Sequence, residues 1–196
     1  MGGMRIIGGQ YRGKRLVTPT DRSVRPTSER TREALFNILE HAGVIQDARF
    51  LDLFCGTGAV GLEAWSRGAS PVWLMDQDPA LAQSNADALD RPEEIHIRRN
   101  AGLHWGQAPC RFDVVFLDPP YGSGLATSTL HALTSGWLAK DAYVIVELAA
   151  KEDLGLPPGF TVLQDRRYGA AKLVFLRSDG TGDQAAAPSP VSENML

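Results

Sequence analysis

Two short stretches hold the residues best suited to chemistry: "LDLFCGTGAVGLEA" at 51–64 and "FDVVFLDPPYGSG" at 112–124. In the first, Gly56, Gly58 and Gly61 form a G-x-G-x-x-G turn after a strand pattern, and Asp76 follows Gly56 by twenty residues. That spacing matches a dinucleotide fingerprint, so a nicotinamide enzyme has to be weighed. Asp52 argues against it. Standing just before the glycine turn, its carboxylate would repel pyrophosphate oxygens and welcome an amine or a sulfonium. S-adenosylmethionine carries both cations and no phosphate. Asp76 could then accept from the ribose hydroxyls, as a carboxylate at this strand end does for NAD, and Asn100, ending the third strand, could read the adenine edge. The bland alternative for Asp52 is a carboxylate satisfied by loop N–H groups.

The second stretch climbs a strand and stops on Asp118, followed by Pro119, Pro120 and Tyr121. Asp-Pro and Pro-Pro dipeptides often only mark turns. In a parallel sheet, however, ligands bind outside the carboxyl ends of the strands, and both stretches fall there. The Asp118 carboxylate and the Pro119 carbonyl, the latter on a ring-locked backbone, offer two acceptors to the two hydrogens of an exocyclic –NH2 group. Tyr121 offers a face on which a base can stack. Such an amine is a poor nucleophile, because its lone pair is delocalised. Hydrogen bonds to both N–H groups favour a tetrahedral nitrogen, and proximity with preorganised electrostatics supplies the rest. A carbon-5 pyrimidine methyltransferase would want a cysteine here instead. Cys55 lies in the glycine loop and Cys110 precedes the strand, which rejects that class.

The elements that must position these residues follow from periodicity. "RIIGGQYRGKRLVTP" (5–19) has two β-prone runs around a Gly-containing connection and predicts a hairpin. Residues 25–43 predict a helix, with Thr27 or Ser28 as N-cap, Glu29 in the first turn, Gly43 as the stop, and Leu35, Ile38, Leu39 and Ala42 as its apolar stripe. Strands are expected at 48–54, 71–76, 94–100, 112–118 and 142–149, alternating with helices at 58–68, 79–90 and near 126–139. This rhythm implies an α/β fold with a parallel sheet covered on both faces. Residues 160–177 break it with an antiparallel hairpin that closes the sheet, and 178–196, small and polar, is expected to be disordered.

Composition fits one domain plus a small appendage: 196 residues, 43% hydrophobic and 22% charged. No run reaches the ~18–20 apolar residues of a membrane span, and the N-terminus lacks an apolar signal region, so a cytoplasmic protein is expected. Neither cysteine sits in a CxxC pair and no Cys/His cluster has metal-ligand spacing, so no metal is expected. Net charge is −3, but residues 1–32 carry +6 and the other 164 therefore −9. A basic arm on an acidic body can track phosphates, or it is simply a solvated basic edge.

Beyond these local readings, "RIIGGQYRGKRL", "VRPTSERTREALFNIL", "LDLFCGTGAVGLEAWSRGA", "NA" at 100–101, "FDVVFLDPPY" and "YGAAKLVFL" resemble the RsmD family, the bacterial 16S ribosomal RNA (guanine(966)-N2)-methyltransferases, over residues 5 to about 177. The resemblance implies a Rossmann-like class I S-adenosylmethionine-dependent methyltransferase: a mostly parallel seven-stranded sheet with a C-terminal antiparallel hairpin, plus a small N-terminal β-hairpin. It implies a division into an RNA-binding arm (1–24), a methyltransferase domain (25–177) and a tail (178–196). Asp52, Phe54, Gly56, Thr57 and Gly58 would shape the cofactor's methionine end, with Asp76 on the ribose and Asn100 and Ala101 at the adenine. Asp118, Pro119, Pro120 and Tyr121 would hold guanine. Arg5, Arg12, Lys14 and Arg15 would grip ribosomal RNA, with Arg25 and Thr27 near the rim of the active site. The implied partner is 16S rRNA in the assembled or assembling small subunit, met by a monomer. Asp76 stands where the family pattern has Glu, and Tyr121 where Phe also occurs.

The nearest rival is a DNA adenine N6-methyltransferase, which uses the same Asp-Pro-Pro-Tyr logic. The absence of a large target-recognition region and the "RIIGG…RGKRL" match weigh against it. A protein-glutamine methyltransferase would resemble Asn-Pro-Pro-Tyr instead. A non-catalytic RNA-binding assembly factor that kept the fold is disfavoured by intact Asp52, Gly56, Asp76 and Asp118.

Overall fold

A computed structural model of the chain describes residues 4–18, 28–90, 92–100, 103 and 105–180. Helix α1 (Glu29–His41) leads into alternating elements: β1 (Phe50–Leu53), α2 (Ala59–Ser66), β2 (Val72–Asp76), α3 (Ala80–Asp87), β3 (Ile95–Arg99), β4 (Phe112–Leu117) and α4 (Leu125–Leu133). Strands β5 (Leu138–Ala149), β6 (Phe160–Tyr168) and β7 (Ala171–Ser178) complete the sheet. Its order is β3-β2-β1-β4-β5-β7-β6. The first five strands are parallel, and β7 runs antiparallel to both β5 and β6. The chain reverses its direction of winding between β1 and β4, and a crevice opens at such a switch point above the strands' carboxyl ends.

Both faces of the central strands are apolar, which a sheet covered on two sides requires. Phe50, Leu74, Val114, Phe116 and Ile145 point to a core shared with Leu35, Phe36 and Leu39 of α1, Leu62 of α2 and Ala82 and Ala86 of α3. Leu51, Leu53, Val115, Leu117, Val144 and Val146 point the other way, onto Ala126, Leu130 and Leu133 of α4 and onto Trp105 and Trp137. Ser28 caps α1, its hydroxyl accepting from the Thr31 N–H at 3.1 Å. That settles the choice between the two candidate caps.

The expected helix near 126–139 stops early, at Leu133, and β5 starts at Leu138. Gly136, at φ 86°, turns the chain, and Trp137 and Leu138 go into the core. The register against β4 slips between Phe112↔Leu138 and Val114↔Tyr143, around exposed Lys140 and Asp141, with Asp141 left-handed at φ 58°. A strand with this irregularity carries no alternation for periodicity to detect.

The N-terminal hairpin is present, closed by a single antiparallel bridge, Arg5↔Arg15, with Ile6 N–H donating to Lys14 O and Leu16 N–H to Met4 O. It lies along α2. Ile7 and Gly8 donate to the two carboxylate oxygens of Glu63 at 2.7 Å each, and Gln10 and Tyr11 donate to Ser66 O and Oγ. Tyr11 stacks on Trp65 with ring centroids 4.1 Å apart. Beneath it, Arg32 is fully buried, its Nε 3.6 Å from Glu63 Oε2 and its Nη2 donating to Arg5 O. Arg67 pairs with Glu63 Oε1 at 2.8 Å and with Glu40 Oε1 at 2.7 Å. At the hairpin's open end, Asn85 of α3 is the staple: its Oδ1 accepts from Val17 N–H, and its Nδ2 donates to Val17 O and Thr57 O.

Candidate active site

Successive side chains of a strand alternate between faces. Asp52 therefore shares a face with Phe50, Asp76 with Leu74 and Glu147 with Ile145, and all three apolar partners belong to the same core. Three acids thus project from one face at the carboxyl ends of β1, β2 and β5, and Asp118 directly follows β4 between them.

The glycine loop is built by backbone geometry that few side chains tolerate. Phe54 leaves β1 at φ 61°, Gly56 and Gly58 follow at φ 52° and 74°, and Gly58 N–H donates to Cys55 O to tighten the turn. A Cβ on Gly56 would project into open space, whereas one on Gly61 would lie 2.1 Å from Leu74 Cδ2. Gly56 is thus small for the benefit of whatever approaches the loop, and Gly61 for the packing of α2 on the sheet. Asp76 fixes the loop from β2, accepting from Gly56 N–H and Asp78 N–H at 2.9 Å each. The Thr57 hydroxyl faces the hairpin, donating to Met4 Sδ, and its carbonyl accepts from Asn85 Nδ2.

Asp52 is 1% exposed and accepts from Gly61 N–H at 2.8 Å. Burial pushes its carboxyl up to about 8 against the pull of that hydrogen bond, and neighbouring Asp76 pushes the same way. A carboxyl in this state ionises readily only when a cation comes to it. Burial and the same two acids also push the Cys55 thiol well up, which removes it as a thiolate nucleophile. Asn100, at the end of β3, is 5% exposed; its N–H donates to Asp76 O, while its Oδ1 is a buried acceptor without a partner among the described residues. Such groups are rare in native interiors and call for a donor. A ligand carrying an –NH2 group beyond Asp76 and a cationic group beside Asp52 answers both demands, and S-adenosylmethionine has both. The described residues therefore fit this cofactor. Ala101 lies outside the described residues.

Across the switch point, Asp118 N–H donates to Leu53 O, tying the second motif to the strand that leads into the glycine loop. Pro119 is buried, and Pro120 and Tyr121 are exposed, Tyr121 at 44%. The loop is pinned from several sides: Ser123 Oγ donates to Pro120 O at 2.6 Å, Gly122 N–H to Glu152 Oε1 at 3.1 Å, and the Tyr121 hydroxyl to Glu147 Oε1 at 3.3 Å. A tethered loop with a half-exposed ring suits the holding of a flat, amine-bearing group.

The predicted residues of β1, β2, β3 and β4 thus come together at one crevice. Arg5, Arg12, Lys14 and Arg15 do not join them; all four are exposed on the hairpin, Arg5 within 3.9 Å of Glu29. The hairpin turn meets the far end of α2, about 12 Å of helix from the glycine loop. Arg25 and Thr27 lie outside the described residues. Sequence reasoning missed Glu147, although one acid in the apolar run "YVIVELA" was a visible signal. It also missed Arg32, Glu63 and Asn85, whose importance comes from partners 27 to 68 positions away. Among the described residues no cluster of three or more His, Cys, Asp or Glu could hold a metal, and no helix is long and apolar enough to cross a membrane.

A family model described as conserved hypothetical protein 95 matches residues 4–177. Ribosomal RNA small subunit methyltransferase D of Escherichia coli (strain K12) is 36% identical over 190 residues, covering 94% of this chain and 95% of that protein. The Haemophilus influenzae protein of the same name is 34% identical over 176 residues, covering 86% of this chain and 90% of that one. Among solved structures, a putative methyltransferase, yhhF, from Escherichia coli matches with a TM-score of 0.78 and 35% identity, over 91% of this chain and 99% of that chain. A ribosomal protein L11 methylase from Lactobacillus delbrueckii subsp. bulgaricus, at 19% identity and a TM-score of 0.63 over 81% and 83% of the two chains, shares the fold alone.

Proposed function

The chain belongs to the conserved hypothetical protein 95 family, the RsmD family of ribosomal RNA methyltransferases, and from that premise we propose that its crevice methylates the exocyclic N2 amine of a guanine in 16S ribosomal RNA. It is an S-adenosylmethionine-dependent ribosomal RNA methyltransferase with the class I, Rossmann-like fold. The observation that supports an exocyclic amine as the methyl acceptor is the seating of Asp118-Pro119-Pro120-Tyr121 across the switch point from the glycine loop, and membership of the family supports guanine as the base.

When bound, S-adenosylmethionine supplies a methyl group made electrophilic by its sulfonium. Asp52, Phe54, Gly56, Thr57 and Gly58 would hold its methionine end, Asp76 would accept from its ribose, and Asn100 with Ala101 would border its adenine. The Asp118 carboxylate and the Pro119 carbonyl accept the two hydrogens of the guanine amine, turning its lone pair out of the ring and towards the glycine loop. Asp118 then takes the proton that the amine releases. Pro120 stiffens the loop and Tyr121 stacks on the base. These are contributions of position and preorganised charge, with no covalent intermediate on the protein.

A paired base has to leave its stack to reach this crevice. Arg5, Arg12, Lys14 and Arg15 form an exposed basic face that would hold phosphates beside it, and the family resemblance gives Arg25 and Thr27 a part in the same contact. A short face of this kind reads shape and backbone, which suits RNA already folded in an assembled or assembling small subunit. Labelled methyl transfer to under-methylated small subunits, naked 16S RNA and DNA, followed by nucleoside analysis, tests this reading. N2-methylguanosine from the subunits, abolished by Asp118→Ala, is the expected result. N6-methyladenine in DNA, or no product from any substrate, would overturn it.

A further inference from the structure

We infer that Glu147 reads the N1–H of the target base and so selects guanine over adenine. Asp-Pro-Pro-Tyr grips an –NH2 group, and both purines offer one; nothing in those four residues chooses between them. Glu147 is 5% exposed and is the one acid in the buried part of β5, at the strand's carboxyl end. The β4–β5 register ends at Leu117↔Val146, and Asp118 and Glu147 are the residues that directly follow this pair. Both acids therefore leave the mouth of the crevice from neighbouring backbones, which paired strands hold about 4.8 Å apart. The Tyr121 hydroxyl reaches Glu147 Oε1 at 3.3 Å, which places that carboxylate against the ring on which the base would stack.

The Watson–Crick edge of guanine presents N1–H next to its N2 amine, so neighbouring donors meet neighbouring acceptors. Adenine presents a bare N1 next to its amine, and a lone pair would face the Glu147 carboxylate. One residue thus both rewards the correct base and repels the wrong one. The inference rests on the reading of guanine N2 as the methyl acceptor.

Small-subunit particles assembled with guanosine or with 2-aminopurine riboside at the target position provide the test. 2-Aminopurine keeps the N2 amine and lacks the N1 hydrogen. The wild-type protein should prefer guanosine in kcat/KM by about a hundredfold, the value of one hydrogen bond to a charged group. Glu147→Gln offers an N–H to the bare N1 and should narrow the preference to within about threefold. Tyr121→Phe, which removes the hydroxyl but leaves Glu147, should hold the ratio near that of the wild type. S-adenosylmethionine binding by calorimetry confirms that each variant is folded. A wild-type ratio near one overturns the inference without recourse to any variant. So does an unchanged ratio in Glu147→Gln, or a Tyr121→Phe ratio that collapses equally, since Glu147 would then act only through the tyrosine. If N2-methylguanosine forms while these ratios fail, only the role of Glu147 is lost. If no N2-methylguanosine forms at all, the reading of the site itself has failed.

Discussion

Replacing Asp52 by Asn should change how the stability of the folded chain depends on pH. Asp52 is 1% exposed, and burial raises its carboxyl from an ordinary 3.8 to about 8. Between those values the native state keeps a proton that the unfolded state has released, so native stability falls as pH rises. The slope for one such group is about −1.4 kcal/mol per pH unit. The protonated carboxyl's contribution is complete below about pH 4 and lost as pH climbs through about 8. From pH 5 to pH 7, inside that window, the wild type should lose roughly 2 to 3 kcal/mol relative to Asp52→Asn. Asparagine keeps the size of the side chain and an oxygen for Gly61 N–H, but has nothing to titrate. Urea unfolding of both proteins at pH 5, 6 and 7, without cofactor, measures the difference directly. Titrating groups that do not interact with Asp52 cancel between the two curves. Parallel profiles would refute the reasoning, because they would mean that Asp52 is ionised in the native cleft with no cation beside it. With S-adenosylmethionine present the wild-type slope should flatten, since its cationic groups favour the ionised carboxylate.

Glu63→Gln should destabilise the chain by about 3 kcal/mol or more, because it leaves the fully buried Arg32 guanidinium without its counter-charge; urea midpoints read the loss, and a wild-type midpoint would mean that the pair contributes little. Exchanging Arg12, Lys14 and Arg15 for Ala should reduce the salt slope of small-subunit binding by about 2 to 3, with the deficit largest at low salt and S-adenosylmethionine affinity unaltered. Filter binding across a salt series measures it, and an equal loss of cofactor affinity would assign the basic face a structural role.

The chemistry was legible where it is written locally. The G-x-G-x-x-G turn, the acid before it and the acid ending the next strand are contiguous patterns, and the β1 and β2 strands beneath them are short apolar runs with clear stops. Asp118-Pro119-Pro120-Tyr121 was legible for the same reason. The sequence also offered for Asp52 a carboxylate satisfied by loop N–H groups, but the donor is Gly61 in the first turn of α2. What stayed hidden depends on distant partners or broken patterns. Arg32 reads as one more arginine of a basic arm, yet it is buried under the hairpin and balances Glu63. Asn85 reads as a polar residue of an ordinary helix, yet it holds the hairpin's exit and the glycine loop with one amide. Residues 138–139 read as the end of a helix and 140–141 as neither helix nor strand, because the register slip at Asp141 erases the alternation that marks a strand.

The way the hairpin is seated bears on how portable it is. An appendage held by its own turn could be deleted from one methyltransferase or transplanted to another. This one could not. Its backbone supplies two of the donors on Glu63, its Ile6 is fully buried in the main core, and its Tyr11 covers Trp65. Deleting it would expose a charged cluster and an indole to water. A hairpin borrowed from a relative would need Arg32, Glu63, Trp65, Ser66 and Asn85 to come with it, so the unit that could be exchanged or could diverge is the hairpin together with the faces of α1, α2 and α3 on which it rests.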